Sequence, residues 1–140
     1  TMAENIPEGY RDLFAVPALG HLATLMPDGS PQVTPVWVDF DGTYILVNSA
    51  KGRQKDRNMR ARPQVGIDIT DPANPYRYLA ARGRVVEITE DGADAHIDKL
   101  AKKYLGLDTY PSRVPGEVRC IYKIMPEHVH AQGGSAGEGS

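Results

Sequence analysis

Residues 64–89 read QVGIDITDPANPYRYLAARGRVVEIT, and this stretch decides the fold. The first seven residues alternate, with Val65, Ile67 and Ile69 on one side, which is the period-2 pattern of a strand with one buried face. Asp71, Pro72, Ala73, Asn74 and Pro75 follow, a cluster of loop formers. Residues 76–89 then read as one long strand. Gly83 interrupts it and marks a bulge or a point where another backbone comes close.

The pattern extends both ways from this pair of strands. Upstream, residues 18–25 are apolar with small residues, and residues 27–30 (PDGS) are a turn. Val36, Val38 and Phe40 alternate with Trp37 and Asp39, and Asp41-Gly42 turns the chain into a strand at 44–47. Pro7 suits a first helical position, with Tyr10, Leu13 and Phe14 at i, i+3, i+4 before Pro17 stops the helix. Asn48 and Ser49 end a strand and are placed to cap a helix that Pro63 terminates. Downstream, Ile97, Leu100, Ala101, Tyr104 and Leu105 form a helical stripe ended by Gly106, with His96 expected on its wet side. Val118, Cys120, Tyr122 and Ile124 alternate as a last strand, with Cys120 a small core residue. Six or so short strands and two or three helices predict a mainly β chain, a closed or nearly closed antiparallel barrel with peripheral helices. Residues 1–132 read as one domain and residues 133–140 as a flexible Gly/Ser tail.

Composition narrows the function classes. The chain has 140 residues, 41% hydrophobic and 24% charged, ordinary for a globular protein. Its longest apolar runs span four residues, so no membrane insertion is expected, and with no leader visible a cytoplasmic protein is the default. A single cysteine excludes an intrachain disulfide and a cysteine-based metal site. The formal net charge is -2, yet residues 51–62 hold six bases (Lys51, Arg53, Lys55, Arg57, Arg60, Arg62) against Asp56 alone. That window carries +5 and the remainder -7, which points to a local anion site rather than a nucleic-acid face. No aromatic residue is interleaved among these bases, a further argument against nucleic acid.

The window leaves a strand, passes Gly52 and enters a helix, so free backbone N–H groups and Lys51, Arg53 and Lys55 gather at the helix start. Cations there oppose the helix dipole and repel one another, a local cost that a bound phosphate or carboxylate would offset. The alternative is a solvated basic face. Catalytic constellations are thin: the chain has no phosphate-binding G-x-x-x-x-G-K-[ST] loop. His128 and His130 share one side of a strand without a third ligand spaced beside them, so no metal is expected. Trp37 either lines a pocket or packs at a subunit contact. With side chains ill suited to the chemistry, a redox cofactor with phosphates and a flat ring becomes the natural agent.

Four stretches carry a family resemblance: residues 32–38 (QVTPVWV), the turn Asp41-Gly42 with its strand, residues 51–58 (KGRQKDRN) and residues 74–78 (NPYRY). On these the chain resembles the flavin/deazaflavin oxidoreductases of the split β-barrel fold, the superfamily that includes pyridoxamine 5′-phosphate oxidase. Within that superfamily it is similar to the small proteins of the F420-dependent group B type. The resemblance implies a six-stranded antiparallel split β-barrel that forms a homodimer, with two cofactors in grooves between subunits. It further implies that Arg53, Lys55 and Asn58 hold the cofactor phosphate. Thr34, Pro35 and Val36 would run along the ring, Ser49 and Lys51 would line the groove, and Tyr76 and Arg77 would close it. The cofactor implied is coenzyme F420, whose phosphodiester and polyglutamate tail suit six cations, with FMN as the alternative. The reaction implied is hydride transfer to an activated double bond of a small organic substrate, for which a tyrosine, His128 or solvent is the proton donor. The rivals are an FMN oxidoreductase of the same fold and a non-enzymatic carrier. The substrate-binding motif of pyridoxamine phosphate oxidases does not stand at residues 125–132 (MPEHVHAQ), so another substrate is expected.

Overall fold

In the computed structural model, which describes residues 3–136, the long hairpin is the middle of a curled antiparallel sheet. Its strands are β1 (Gly20–Leu25), β2 (Pro31–Val36), β3 (Val38–Phe40), β4 (Ile45–Ala50), β5 (Gln64–Asp71), β6 (Asn74–Thr89) and β7 (Arg119–Gln132). Helix α1 is Gln54–Ala61, α2 is Ala93–Leu105, and the helix signalled at the start of the chain is a 3₁₀ helix, Glu8–Phe14. The sheet order is β2-β1-β5-β6-β7-β4-β3. Its two edges, β2 and β3, are separated in the chain by Trp37 alone. Seven segments therefore make a six-stranded split barrel in which one strand, broken at Trp37, supplies both edges.

Alternation explains what fills it. Val65, Ile67 and Ile69 point inward with Leu22, Val38, Val47, Leu79, Tyr122 and Ile124, and Ile6, Leu13 and Phe14 pack against this core. Cys120 is fully buried among them. Gly83 is required by contact: a Cβ there would lie 2.0 Å from the Met125 carbonyl oxygen. The β6–β7 register also shifts between Arg82 and Gly83. That irregularity carries β7 through Pro126, which pairs opposite Gly83, so the last strand runs to Gln132 instead of stopping near Ile124.

Helix α2 ends as its sequence predicts, with Gly106 left-handed at φ 73° and its N–H on the Lys102 carbonyl. The first residues of the expected tail are held in place. Arg77 Nε donates to the Gly134 carbonyl at 2.7 Å and Ala136 N to the Gly9 carbonyl at 2.6 Å. The rest of that tail, residues 137–140, lies outside the described residues. Among the described residues no helix is long and apolar enough to cross a membrane.

Candidate functional site

The basic window lies where β4 hands over to α1. Asn48 and Ser49 do not cap this helix: Arg53 is its N-cap residue, without a side-chain bond, and Gly52 before it takes φ 95°. Asp56 carries the local electrostatics. It is buried and accepts from Tyr122 Oη at 2.6 Å, Gly52 N at 2.9 Å and Arg60 Nε at 2.9 Å. Burial alone would raise its carboxyl, but those three donors outweigh burial and hold it below the ordinary carboxylate range.

Four of the six cations are occupied by partners within the chain. Lys51 meets Glu90 at 3.5 Å and Arg60 meets Asp56 at 2.9 Å. Arg57 turns back to the Gly52 carbonyl and to Gln54, and Arg62 donates to the Leu25 carbonyl at 2.8 Å. Only Arg53 and Lys55 are without a bonded partner among the described residues, and both line one cleft. A third cation joins them, Arg119 at the start of β7, which sequence reading missed. Burial first, then repulsion from Arg53 and Arg119, holds the Lys55 ammonium below its ordinary range. This is an arrangement of unneutralised positive charge, offset only by Glu117, which pairs with Arg119.

The cleft is about 280 Å³ and is lined besides by Asn48 and by apolar and aromatic side chains. Pro35, Val36 and Trp37 reach it from β2 and the break between edges, and Leu19, Ile97 and Tyr110 also line it. Trp37 stacks on Tyr104 with ring centroids 5.1 Å apart and meets Tyr110 edge-on at 5.8 Å. Tyr110 in turn lies under the Arg119 guanidinium, 5.2 Å from its carbon. Trp37 thus lines a pocket, the first of its two readings. Tyr104 is fixed by donating to the Ala18 carbonyl at 2.6 Å and accepting from Val38 N at 3.0 Å.

The other expected site residues are dispersed. Thr34 is half-buried opposite Leu22 and does not line the cleft. Ser49 is buried, on the same side of β4 as Val47 and opposite Cys120. Its Oγ is a buried side-chain polar atom without a hydrogen-bond partner, an oxygen left for a ligand or water at the β4–α1 junction. Asn58 is fully buried and bonded to Thr24, Gln54 and Arg62. Arg77 is likewise bonded within the chain. All five of its N–H groups are used, on Asp12, Asp71 and the carbonyls of Gly9 and Gly134. Tyr76 is 81% exposed and away from the cleft.

His128 lies on the outer face of the sheet, where a larger concavity of about 630 Å³ is lined by His21, Ala23, Val33, Gly66, Ala80 and His130 among others. The three cleft cations do not reach this face, so within one chain His128 and the cation cluster occupy separate surfaces. No group of three or more metal-ligating side chains exists among the described residues. His96, expected on the wet side of α2, is instead 9% exposed and bonded to Asn48 and Asp39.

Comparison with known proteins adds four findings. A family described as pyridoxamine 5′-phosphate oxidase matches residues 6–133. A solved structure titled F420 reductase is 39% identical, with TM-score 0.77, over 89% of this chain and 98% of its own. A protein of unknown function from Agrobacterium tumefaciens is 20% identical, with TM-score 0.72, over 96% of this chain and 61% of its own. A conserved hypothetical protein from Mycobacterium tuberculosis is 22% identical, with TM-score 0.66, over 87% of this chain and 81% of its own. The last two share the fold.

Proposed function

The chain belongs to the pyridoxamine 5′-phosphate oxidase family, and from that premise we propose that it is an F420-dependent oxidoreductase acting on a small organic acceptor. The observation that carries this reading is the set of three cations, Arg53, Lys55 and Arg119, opposed by the single carboxylate of Glu117, in a cleft lined besides by Asn48 and by apolar and aromatic side chains. Such a lining suits a ligand with a flat ring and an anionic arm. The structure titled F420 reductase, 39% identical over most of both chains, supports the choice of deazaflavin.

The residues present fit such a group. Arg53, Lys55 and Arg119 would hold its anionic arm, and the unpartnered Ser49 hydroxyl is a further polar contact beside them in sequence. Pro35 and Val36 would lie along the ring. Trp37 and Tyr110, whose edge-on contact closes one side of the cleft, would exclude water from it. When bound, a reduced deazaflavin supplies hydride to an activated double bond of a small organic substrate. The protein supplies orientation and a positive field. The reading includes a homodimer, which mass determination in solution checks, and involves neither nucleic acid nor membrane.

FMN is the second reading, and one observation favours it. With four of the six window cations satisfied inside the chain, the free positive charge matches a single phosphate as well as a polyanionic tail. Titrating the purified protein with F420 and with FMN by fluorescence separates the two. Absence of quenching by F420 at micromolar concentration defeats the preferred reading. Turnover of reduced F420 with a panel of enones and quinones distinguishes an enzyme from a carrier.

A further inference from the structure

From Arg119 and Asn48 in the cleft lining, a chain of polar side chains runs back through four elements to His96 and Asp39. Asn48 on β4 is oriented by its partners, because a guanidinium only donates and a carbonyl only accepts. Arg119 Nε donates to Asn48 Oδ1 at 2.9 Å, and Asn48 Nδ2 donates to the Ala93 carbonyl at 2.9 Å. The second amide hydrogen of Asn48 is then left for His96 Nδ1, 3.1 Å away, which must accept. A neutral imidazole with a bare Nδ1 carries its hydrogen on Nε2, and Nε2 lies 3.1 Å from Asp39 Oδ2. Every group in the chain is satisfied by neutral, Nε2-protonated His96. Protonating Nδ1 would set one N–H against another and force the Asn48 amide away from Arg119.

We infer that Asn48 and His96 are positioning residues for the anion grip, acting through Arg119. This inference rests on the cleft being the anion site proposed above. Asp39 Oδ2 holds the far side of the imidazole, 3.1 Å from His96 Nε2, and also takes Lys99 Nζ at 3.1 Å. Without the acceptor at His96 Nδ1 the Asn48 amide is free to turn, and Arg119 Nε loses the oxygen that aligns it beside Lys55.

The test uses the intact protein in two arms. In nitrogen-resolved NMR without ligand, His96 is expected as the Nε2–H tautomer near neutral pH, and the Arg119 Nε–H signal is expected to move in His96→Ala but to return in His96→Gln. An Nδ1–H tautomer, or an Arg119 signal indifferent to His96→Ala, overturns the inference, and the tautomer needs no variant to fold. In the second arm, F420 binding is measured by fluorescence for wild type, His96→Ala and His96→Gln. Sulfate serves as the competing probe. His96→Ala is expected to lose about tenfold in affinity for both probes, the scale of one charge-assisted hydrogen bond. His96→Gln keeps an acceptor toward Asn48 and a donor toward Asp39, so it should bind as wild type does. Parallel losses in both variants, or a loss in neither, refute the inference and leave the cleft reading standing. Failure of both probes to bind wild type defeats the cleft reading itself, and the inference with it.

Discussion

Replacing Arg77 by alanine should destabilise the protein without touching the ligand site. The side chain is 8% exposed, and its five N–H groups end on two carboxylates and two carbonyls. Through them it ties together the 3₁₀ helix, the β5–β6 turn and residue 134. Removing one partner of a buried ionic network costs about 3–5 kcal/mol. Here Asp12 is 41% exposed and rehydrates readily, whereas Asp71, 18% exposed, does so less, which places the loss near the low end, about 3 kcal/mol. For a domain of this size that corresponds to a fall of roughly 10 °C in Tm. Urea unfolding at neutral pH, with an unchanged m-value, measures it directly. Arg77→Lys should recover less than half, because a single ammonium cannot address both carboxylates and both carbonyls at once. Affinity for F420, measured on the folded fraction, should be unaltered. A stability loss below about 1 kcal/mol together with weakened binding would refute the reasoning and return Arg77 to the ligand site.

Other expectations are as direct. Lys55→Ala and Arg53→Ala should each weaken cofactor binding by roughly 1–3 kcal/mol in a fluorescence titration, whereas Arg57→Ala, turned back on its own helix, should not. Gly83→Ala forces a Cβ onto the Met125 carbonyl, so the β6–β7 ladder must shift, and a lowered urea midpoint is expected. Asp56 is held below its ordinary value of 3.8, so the folded state keeps it ionised while the unfolded chain takes up protons. Its stabilisation is therefore complete above about pH 4 and is lost as pH falls further, and Asp56→Asn should flatten that acid limb in urea titrations.

How much of this was legible in the sequence varies by residue. The inward set Val65, Ile67 and Ile69, the close approach at Gly83 and the stop at Gly106 are short-range consequences of period and backbone freedom. The continuation of β7 was hidden because Pro126 reads as a strand breaker, and only the bulge opposite, itself made by Gly83, excuses its missing N–H. The basic window was visible as charge, but its partners Glu90 and the Leu25 carbonyl lie far along the chain, so which cations stay free was not. Arg119 gave no local signal. His96 did: it is three residues after Ala93 and four before Leu100, inside the buried stripe of α2.

The strand broken at Trp37 ties the birth of the ligand site to the order of synthesis. β1 pairs with β2 and β3 with β4 through neighbouring sequence, but β4 joins the remaining sheet only through β7, the last strand made. A nascent chain that has not yet released residues beyond Leu105 owns the basic helix and the tryptophan, yet has no Arg119 to face them. On the ribosome the anion grip therefore forms late and all at once, as the barrel shuts, and a cofactor added to growing chains should find nothing to hold until β7 arrives.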